Sequence, residues 1–343
     1  MTERKNEGIL SIYHPEIPSF LSDVLQAKSL QRISKVGMHC GMEYTFFPFY
    51  RNLKRYDRLF HSLGVALIVY HFTGKENEVY AGLFHDIATP CFAHVIDFLN
   101  HDYTKQESTE EKTAFLLLHD EKIRKELETR GIRYEEVNDY HRYPIADNDS
   151  PFLSADRLEY TLSNFLNFSL CSLDEVKDFY DNLRVSRNEK GEEELCFQSI
   201  DKAERFTLLT LKNSHYYVSD EDRYAMELLA RILKNCIQRN VIKESDLYTT
   251  EENVINLLGH DSRAFHDFTL FHSLSAIKTS PTRINGFFQV PSKKRYIDPY
   301  VMGQGRVSSL SEKAKTAIQA FRSLSFEAYL SSDIQPLLSF EVQ

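Results

Sequence analysis

His61, the adjacent pair His85-Asp86, and Asp156 are spread over almost a hundred positions, yet each falls in a segment with helical apolar spacing. Two imidazoles and two carboxylates form a mixed donor set that suits a divalent cation and leaves coordination positions for water. A cation of that kind lowers the pKa of its water toward neutrality. The chemistry that follows is hydrolysis of a phosphate ester or anhydride.

Helices must position these groups. From Asp57 to Tyr70, the stripe Leu59, Leu63, Ala66, Leu67, Tyr70 predicts a mostly buried helix carrying His61. The apolar run Val79–Phe84 ends in His85-Asp86, where charge is expensive unless it binds something. Phe92, Val95, Ile96 and Leu99 give the i, i+3, i+4, i+7 pattern after Pro90, which suits a first turn. Further helices are predicted at 106–130, 151–170 and 173–183, with Ser150-Pro151 as the start signal for the one that bears Asp156. In Arg184–Phe197, Val185 and Leu195-Cys196-Phe197 flank the polar turn Asn188-Glu189-Lys190-Gly191, a hairpin signal. Helical spacing resumes at 201–216 and 220–239. Arg283–Val301 mixes β-favouring and turn residues and predicts short strands or an ordered loop; a last helix covers 311–330.

Composition narrows the classes. Of 343 residues, 42% are hydrophobic and 27% charged, with 12 Gly and 10 Pro, which is an ordinary globule rather than a disordered chain. A formal charge of −9 argues against nucleic acid as a partner, although a local basic pocket for one nucleotide is compatible with it. The five cysteines contain no CxxC pair, so neither a disulfide framework nor a cysteine zinc site is indicated. No signal-peptide core is present, and no run approaches the ~20 apolar residues that span a bilayer. A cytoplasmic protein without a membrane partner is the expectation.

Three runs, RLFHSLGVALIVYHF, GLFHDIATPCFAHVIDF and SADRLEYTLSNF, occur in that order within roughly residues 45–170. Together they resemble the HD-domain metal-dependent phosphohydrolases, and within them the deoxynucleoside triphosphate triphosphohydrolase branch. A His-Asp dipeptide alone selects nothing, since the chain contains five where composition predicts about one. His119-Asp120 and His101-Asp102 sit among polar residues and read as surface or helix ends, and His260 and His266 are six apart, off a common helical face.

The resemblance implies an all-α fold, mainly a helical HD-domain core with a small β-hairpin or strand element in the C-terminal half. It suggests an N-terminal segment over 1–44, a metal-binding core over 45–183, and a mainly helical lobe with short β segments over 184–343. His61, His85, Asp86 and Asp156 would be the ligands of one divalent ion, with iron, manganese, nickel, zinc and magnesium all compatible with such donors. Arg58, Arg157, Tyr160 and Asn164 would contact substrate. Arg58 precedes His61 by three and shares its helical face; Asn164 stands where the family commonly has an acid that reads a sugar hydroxyl.

The departures bear on proton transfer. The family carries histidines four and nine residues after the central His and another downstream before Glu; here these positions read Thr89, His94 and Gln106. His94 is therefore the catalytic candidate, and Asp97 matches the acid that orients the missing downstream histidine. Gln106 cannot transfer a proton at neutral pH, so either a metal with Arg58 and Arg157 neutralises the departing charge and supports slow turnover, or His94 or His101 takes over the acid role.

The implied reaction converts a dNTP to a deoxynucleoside and tripolyphosphate. An HD-type nucleotidase or phosphodiesterase, and a non-catalytic nucleotide-binding regulatory protein, stay open as alternatives. The expected partner is a nucleotide or other phosphorylated small molecule; oligomeric state is open, a homo-oligomer included. The basic cluster Ser292-Lys293-Lys294-Arg295 reads as a solvated run, a polyphosphate contact or a subunit contact. His215-Tyr216-Tyr217 is a weak candidate for pocket lining.

Overall fold

A computed structural model describes residues 7–51, 53–100 and 112–341; His101 and Gln106 lie outside the described residues. Glu7–Tyr13 (α1) and Lys28–Ile33 (α2) precede a tightly packed pair, Arg58–Thr73 (α3) and Glu76–Phe84 (α4). Asp57 caps α3 by accepting from Phe60 N at 3.0 Å, and Gly74, at φ +65°, ends it in the left-handed conformation that costs glycine least.

Val95–Leu99 (α5) follows, shorter than the apolar spacing predicts. Phe92 and Ala93 have φ of +61° and +47°, so the chain turns where the helix would have begun. The helix predicted over 106–130 is, in its described part, two: Thr113–His119 (α6) and Glu121–Arg130 (α7). Asp120 separates them because its carboxylate accepts from Lys122 N and also from Ser29 N at 2.9 Å. Ala155–Asn167 (α8) starts after the Pro151 turn, since Ser154 rather than Ser150 provides its cap.

Leu173–Asp181 (α9) leads into the predicted hairpin, Leu183–Arg187 (β1) and Glu193–Phe197 (β2), antiparallel with Leu183 opposite Phe197. Ile200–Tyr217 (α10), Asp220–Gln238 (α11), Glu251–Leu258 (α12) and Ser262–His272 (α13) complete the helical mass. The segment beyond is largely extended, with Lys278–Ser280 (β3), Tyr300–Val301 (β4) and Gly305–Arg306 (β5), then Val307–Leu310 (α14) and Glu312–Arg322 (α15). The helix predicted to 330 stops at Arg322, and Tyr329–Ser331 (β6) pairs instead with β3, Thr279 opposite Leu330. Sheet order is β1-β2-β4-β5, with β2 and β4 parallel. The expected class, mainly helical with small strand elements, is the one observed. Among the described residues no helix is long and apolar enough to cross a membrane.

Two apolar cores organise the chain. The first gathers α1, α3, α4, α8, α9, the hairpin and α10 around residues such as Ile9, Leu67, Leu83, Leu158 and Phe206; the second joins α5, α11, α12 and α13 through Phe98, Leu229, Val254 and Phe271. The α8 N-terminus is held by an ion pair outside both. Arg306 donates to both carboxylate oxygens of the fully buried Glu194, at 2.6 and 2.8 Å, and stacks 4.0 Å over the Phe152 ring. Glu194 in turn accepts from Leu153 N at 3.0 Å. Arg306→Ala strands that carboxylate without a counter-charge, and urea unfolding is expected to register a loss of about 3–5 kcal/mol; an unchanged midpoint would refute this role.

Candidate metal centre

α3 presents His61 on its inward face, α4 delivers His85 at its C-cap with Asp86 next, and the first turn of α8 carries Asp156. Their ligand atoms converge. His61 Nε2 lies 3.1 Å from His85 Nε2, 3.0 Å from Asp156 Oδ1 and 3.9 Å from Asp86 Oδ2. His85 Nε2 lies 3.5 Å from Asp86 Oδ2 and 3.8 Å from Asp156 Oδ1. Donors about 2.1 Å from a shared ion and roughly at right angles stand about 3 Å apart, so the spacing fits one transition-metal or similar ion.

Hydrogen bonds on the far side of each ring point the same way. His85 Nδ1 donates to the Gly82 carbonyl at 2.7 Å, and His61 Nδ1 donates to Glu159 at 2.5 Å. With both Nδ1 protons so engaged, the Nε2 atoms face each other as lone pairs. Two lone pairs 3.1 Å apart repel unless positive charge lies between them. A proton can serve: burial works against a charged His61, but hydrogen bonds that it donates to Asp156 and Glu159 push its pKa up to about 10. Burial alone would raise the Asp86 carboxyl, yet the Arg58 guanidinium at 2.7 Å and the two imidazoles hold it well below the usual carboxylate range.

Glu159 is the residue that sequence reasoning missed. It is fully buried and gathers three donors: His61 Nδ1, the Tyr56 hydroxyl, and Ser163 Oγ at 2.7 Å. The signal was present, since Glu159 is a carboxylate between Leu158 and Leu162, three positions beyond Asp156. Gly64 makes room for it: a Cβ there would lie 2.6 Å from Glu159 Cγ.

Beside the ligands lies a cleft of about 110 Å³, lined by Arg58, His85, Asp86, Thr89, His94 and Tyr140 among others. Thr89, at a position where the resemblance leads one to expect histidine, donates its hydroxyl to Asp86 Oδ1 at 2.8 Å and so orients a ligand. His94, 34% exposed, donates Nδ1–H to Asp97 at 2.9 Å; burial keeps its pKa below the ordinary histidine value. Glu251, at the start of α12, steadies the turn before it. Its carboxylate accepts from Gly37 N at 2.9 Å, the Tyr44 hydroxyl at 2.8 Å and Phe92 N at 3.3 Å.

Of the expected substrate contacts, Arg58 is pinned by Asp86, with its Nε buried and unpartnered. Arg157 pairs with Asp147 at 3.1 Å and donates to the Phe152 carbonyl and to Asn148, which ties down the turn before α8. Tyr160 meets Tyr217 edge-on, 6.4 Å between ring centroids. Asn164 donates to the Tyr217 hydroxyl at 2.8 Å and accepts from His39 Nε2 at 3.3 Å. Tyr217 thus joins the same wall.

No family model matches the chain. It is 29% identical over 307 residues to the uncharacterized protein YdhJ of Bacillus subtilis, covering 87% of this chain and 90% of that one. It is also 25% identical over 252 residues to the metal-dependent phosphohydrolase cns2 of Cordyceps militaris, covering 70% and 69%. The crystal structure of a phosphohydrolase from Bacteroides thetaiotaomicron superposes with a TM-score of 0.62 at 15% identity, over 92% of this chain and 96% of that one. The chain therefore shares its fold with that phosphohydrolase, and a metal-dependent phosphohydrolase is among its sequence relatives.

Two outcomes are expected of the centre. Because Asp156 and Glu159 push the His61 pKa up to about 10, metal uptake is expected to displace a proton. Calorimetry at pH 7.5 in buffers of different ionisation enthalpy should find about one proton released per ion, with affinity weakening as pH falls. Glu159→Gln removes the charge that orients His61, and metal affinity should drop about 10–100-fold in a chelator competition; wild-type affinity would count against the assignment.

Proposed function

We propose that this chain is a metal-dependent phosphohydrolase acting on a nucleotide, and that it converts a deoxynucleoside triphosphate to deoxynucleoside and tripolyphosphate. The observation that carries the hydrolase reading is the pair of Nε2 atoms converging with Asp86 and with Asp156 beside a cleft lined by Arg58 and His94. The nucleotide reading draws on the three ordered motifs and on the wall made by Tyr160 and Asn164, one and two turns beyond Asp156, with Tyr217 from the end of α10.

His61, His85, Asp86 and Asp156 would hold a divalent ion, which when bound would supply Lewis acidity toward a phosphate oxygen and acidify water. Arg58, kept in place by Asp86, adds positive charge where the phosphate sits. His94 is neutral near pH 7 because its burial opposes protonation. Its Nδ1–H is committed to Asp97, which leaves Nε2 to accept a proton from the attacking water. Tyr160 and Tyr217 offer ring edges and hydroxyls to a sugar or base.

One observation favours a second reading, a nucleotide-binding protein with little turnover: the Thr89 hydroxyl is spent on Asp86 and moves no proton. Product analysis with metal-loaded protein separates the cases. Tripolyphosphate from a dNTP supports the first reading, orthophosphate from a monophosphate points to a nucleotidase, and a raised melting temperature with no product over hours points to the binder. Asp86→Ala should lose both bound metal and turnover.

The pH profile gives a further check. His94 is active deprotonated and its pKa is lowered, so at saturating metal kcat/KM should hold as pH falls through about 6.5 and decline only below it. His94→Asn should abolish that limb along with most of the activity.

A further inference from the structure

The two candidate histidine ligands are held differently. His61 is oriented by a buried carboxylate, Glu159, whereas the Nδ1 of His85 donates only to the Gly82 carbonyl, at 2.7 Å. The last torsion of a histidine side chain sits in a broad well, so one bond at Nδ1 leaves Nε2 room to swing. A second contact lies against the ring itself. The Tyr140 ring is 5.0 Å from that of His85, with the planes 38° apart, and Tyr140 lines the same cleft as His85, Asp86 and His94. On its other side Tyr140 meets the His141 ring at 4.3 Å.

Tyr140 opens a single helical turn, Tyr140–Arg142, and the chain that follows is fastened to both ligand-bearing helices. Toward α4, Asn77 donates to the Tyr143 hydroxyl at 3.2 Å. Toward α8, Ile145 and Ala146 are buried, and their carbonyls accept from Ala155 N at 2.8 Å and from Asp156 N at 3.2 Å. The buried Asp147 carboxylate then accepts from Ser154 Oγ, the α8 cap, at 3.0 Å and pairs with Arg157 at 3.1 Å, while His141 Nε2 approaches it to 3.4 Å. Segment 140–147 thus runs from the ring of one ligand to the backbone of another. A contact that fixes a ligand ring from outside the coordination sphere sets the direction of its lone pair, and with it the affinity of the site.

We propose that Tyr140 is a positioning residue for His85, and that segment 140–147 braces this histidine against Asp156. The proposal rests on the metal-centre reading and is tested without turnover. Wild type, Tyr140→Phe, Tyr140→Leu and Tyr140→Ala are stripped of metal and titrated with cobalt(II), which suits mixed nitrogen and oxygen donors. Chelator competition gives the affinity, and the visible absorption bands report the ligand geometry. Tyr140→Phe keeps the ring and should stay within about threefold of wild type with the same bands, whereas Tyr140→Ala should bind about tenfold or more weakly, with shifted bands. Should Tyr140→Ala fail to fold, Tyr140→Leu, which fills the space without a planar face, decides by the same comparison. Wild-type affinity and bands in the folded alanine or leucine variant, with only the melting temperature of the metal-free protein lowered, overturn the proposal. A phenylalanine variant that loses as much as alanine overturns it too, since the ring would then not be what holds His85. A wild type that takes up no cobalt overturns the metal centre and the brace together. Failure of the metal-loaded protein to hydrolyse any phosphate ester would instead overturn the enzymatic reading, and the cobalt titrations would still judge Tyr140.

Discussion

A single buried carboxylate sets the geometry on which the site depends. Glu159 has no exposure to water and is tolerable there only because His61, Tyr56 and Ser163 all donate to it. The bond to His61 selects the tautomer whose Nε2 faces the other ligands. The same bond fixes how α8 lies against α3, and Asp156, one turn earlier on α8, thereby arrives 3.0 Å from that Nε2. Ligand chemistry and helix register are one constraint.

Around it the two cores divide the labour. The four candidate ligands and Arg58 belong to elements of the first core, whereas His94 and Asp97 come from α5 in the second. What binds them across the gap is polar: Glu251 holds the backbone at Gly37 and at Phe92 and the side chain of Tyr44. The Phe92-Ala93 turn adopts left-handed φ values that a β-carbon disfavours, at a cost on the order of 1 kcal/mol per residue. That cost is offset by the packing that places His94 at the cleft.

Much of this was legible in the sequence. Apolar spacing located α3 and α11, the Asn188–Gly191 turn located the hairpin, and the ordered motifs singled out His61, His85, Asp86 and Asp156, which the fold brings together. What escaped depended on tertiary partners that spacing does not encode. Asp120 breaks a helical pattern because Ser29, ninety-one positions away, donates to it. Thr89 reads as a lost histidine until its bond to Asp86 is seen. The basic cluster at 292–295 looks uniform in sequence, but the fold commits Lys294 to the Arg322 and Leu324 carbonyls.

Gly64 carries this logic to a residue that touches no ligand. It sits mid-helix, where glycine weakens α3, and its place is explained by the 2.6 Å that a β-carbon would leave to Glu159. A change to alanine would strengthen the isolated helix and at the same time push the carboxylate off the imidazole it orients. A substitution at Gly64 would leave every candidate ligand in place and still disturb the bond that sets the His61 tautomer, so this glycine belongs to the centre's geometry without touching it.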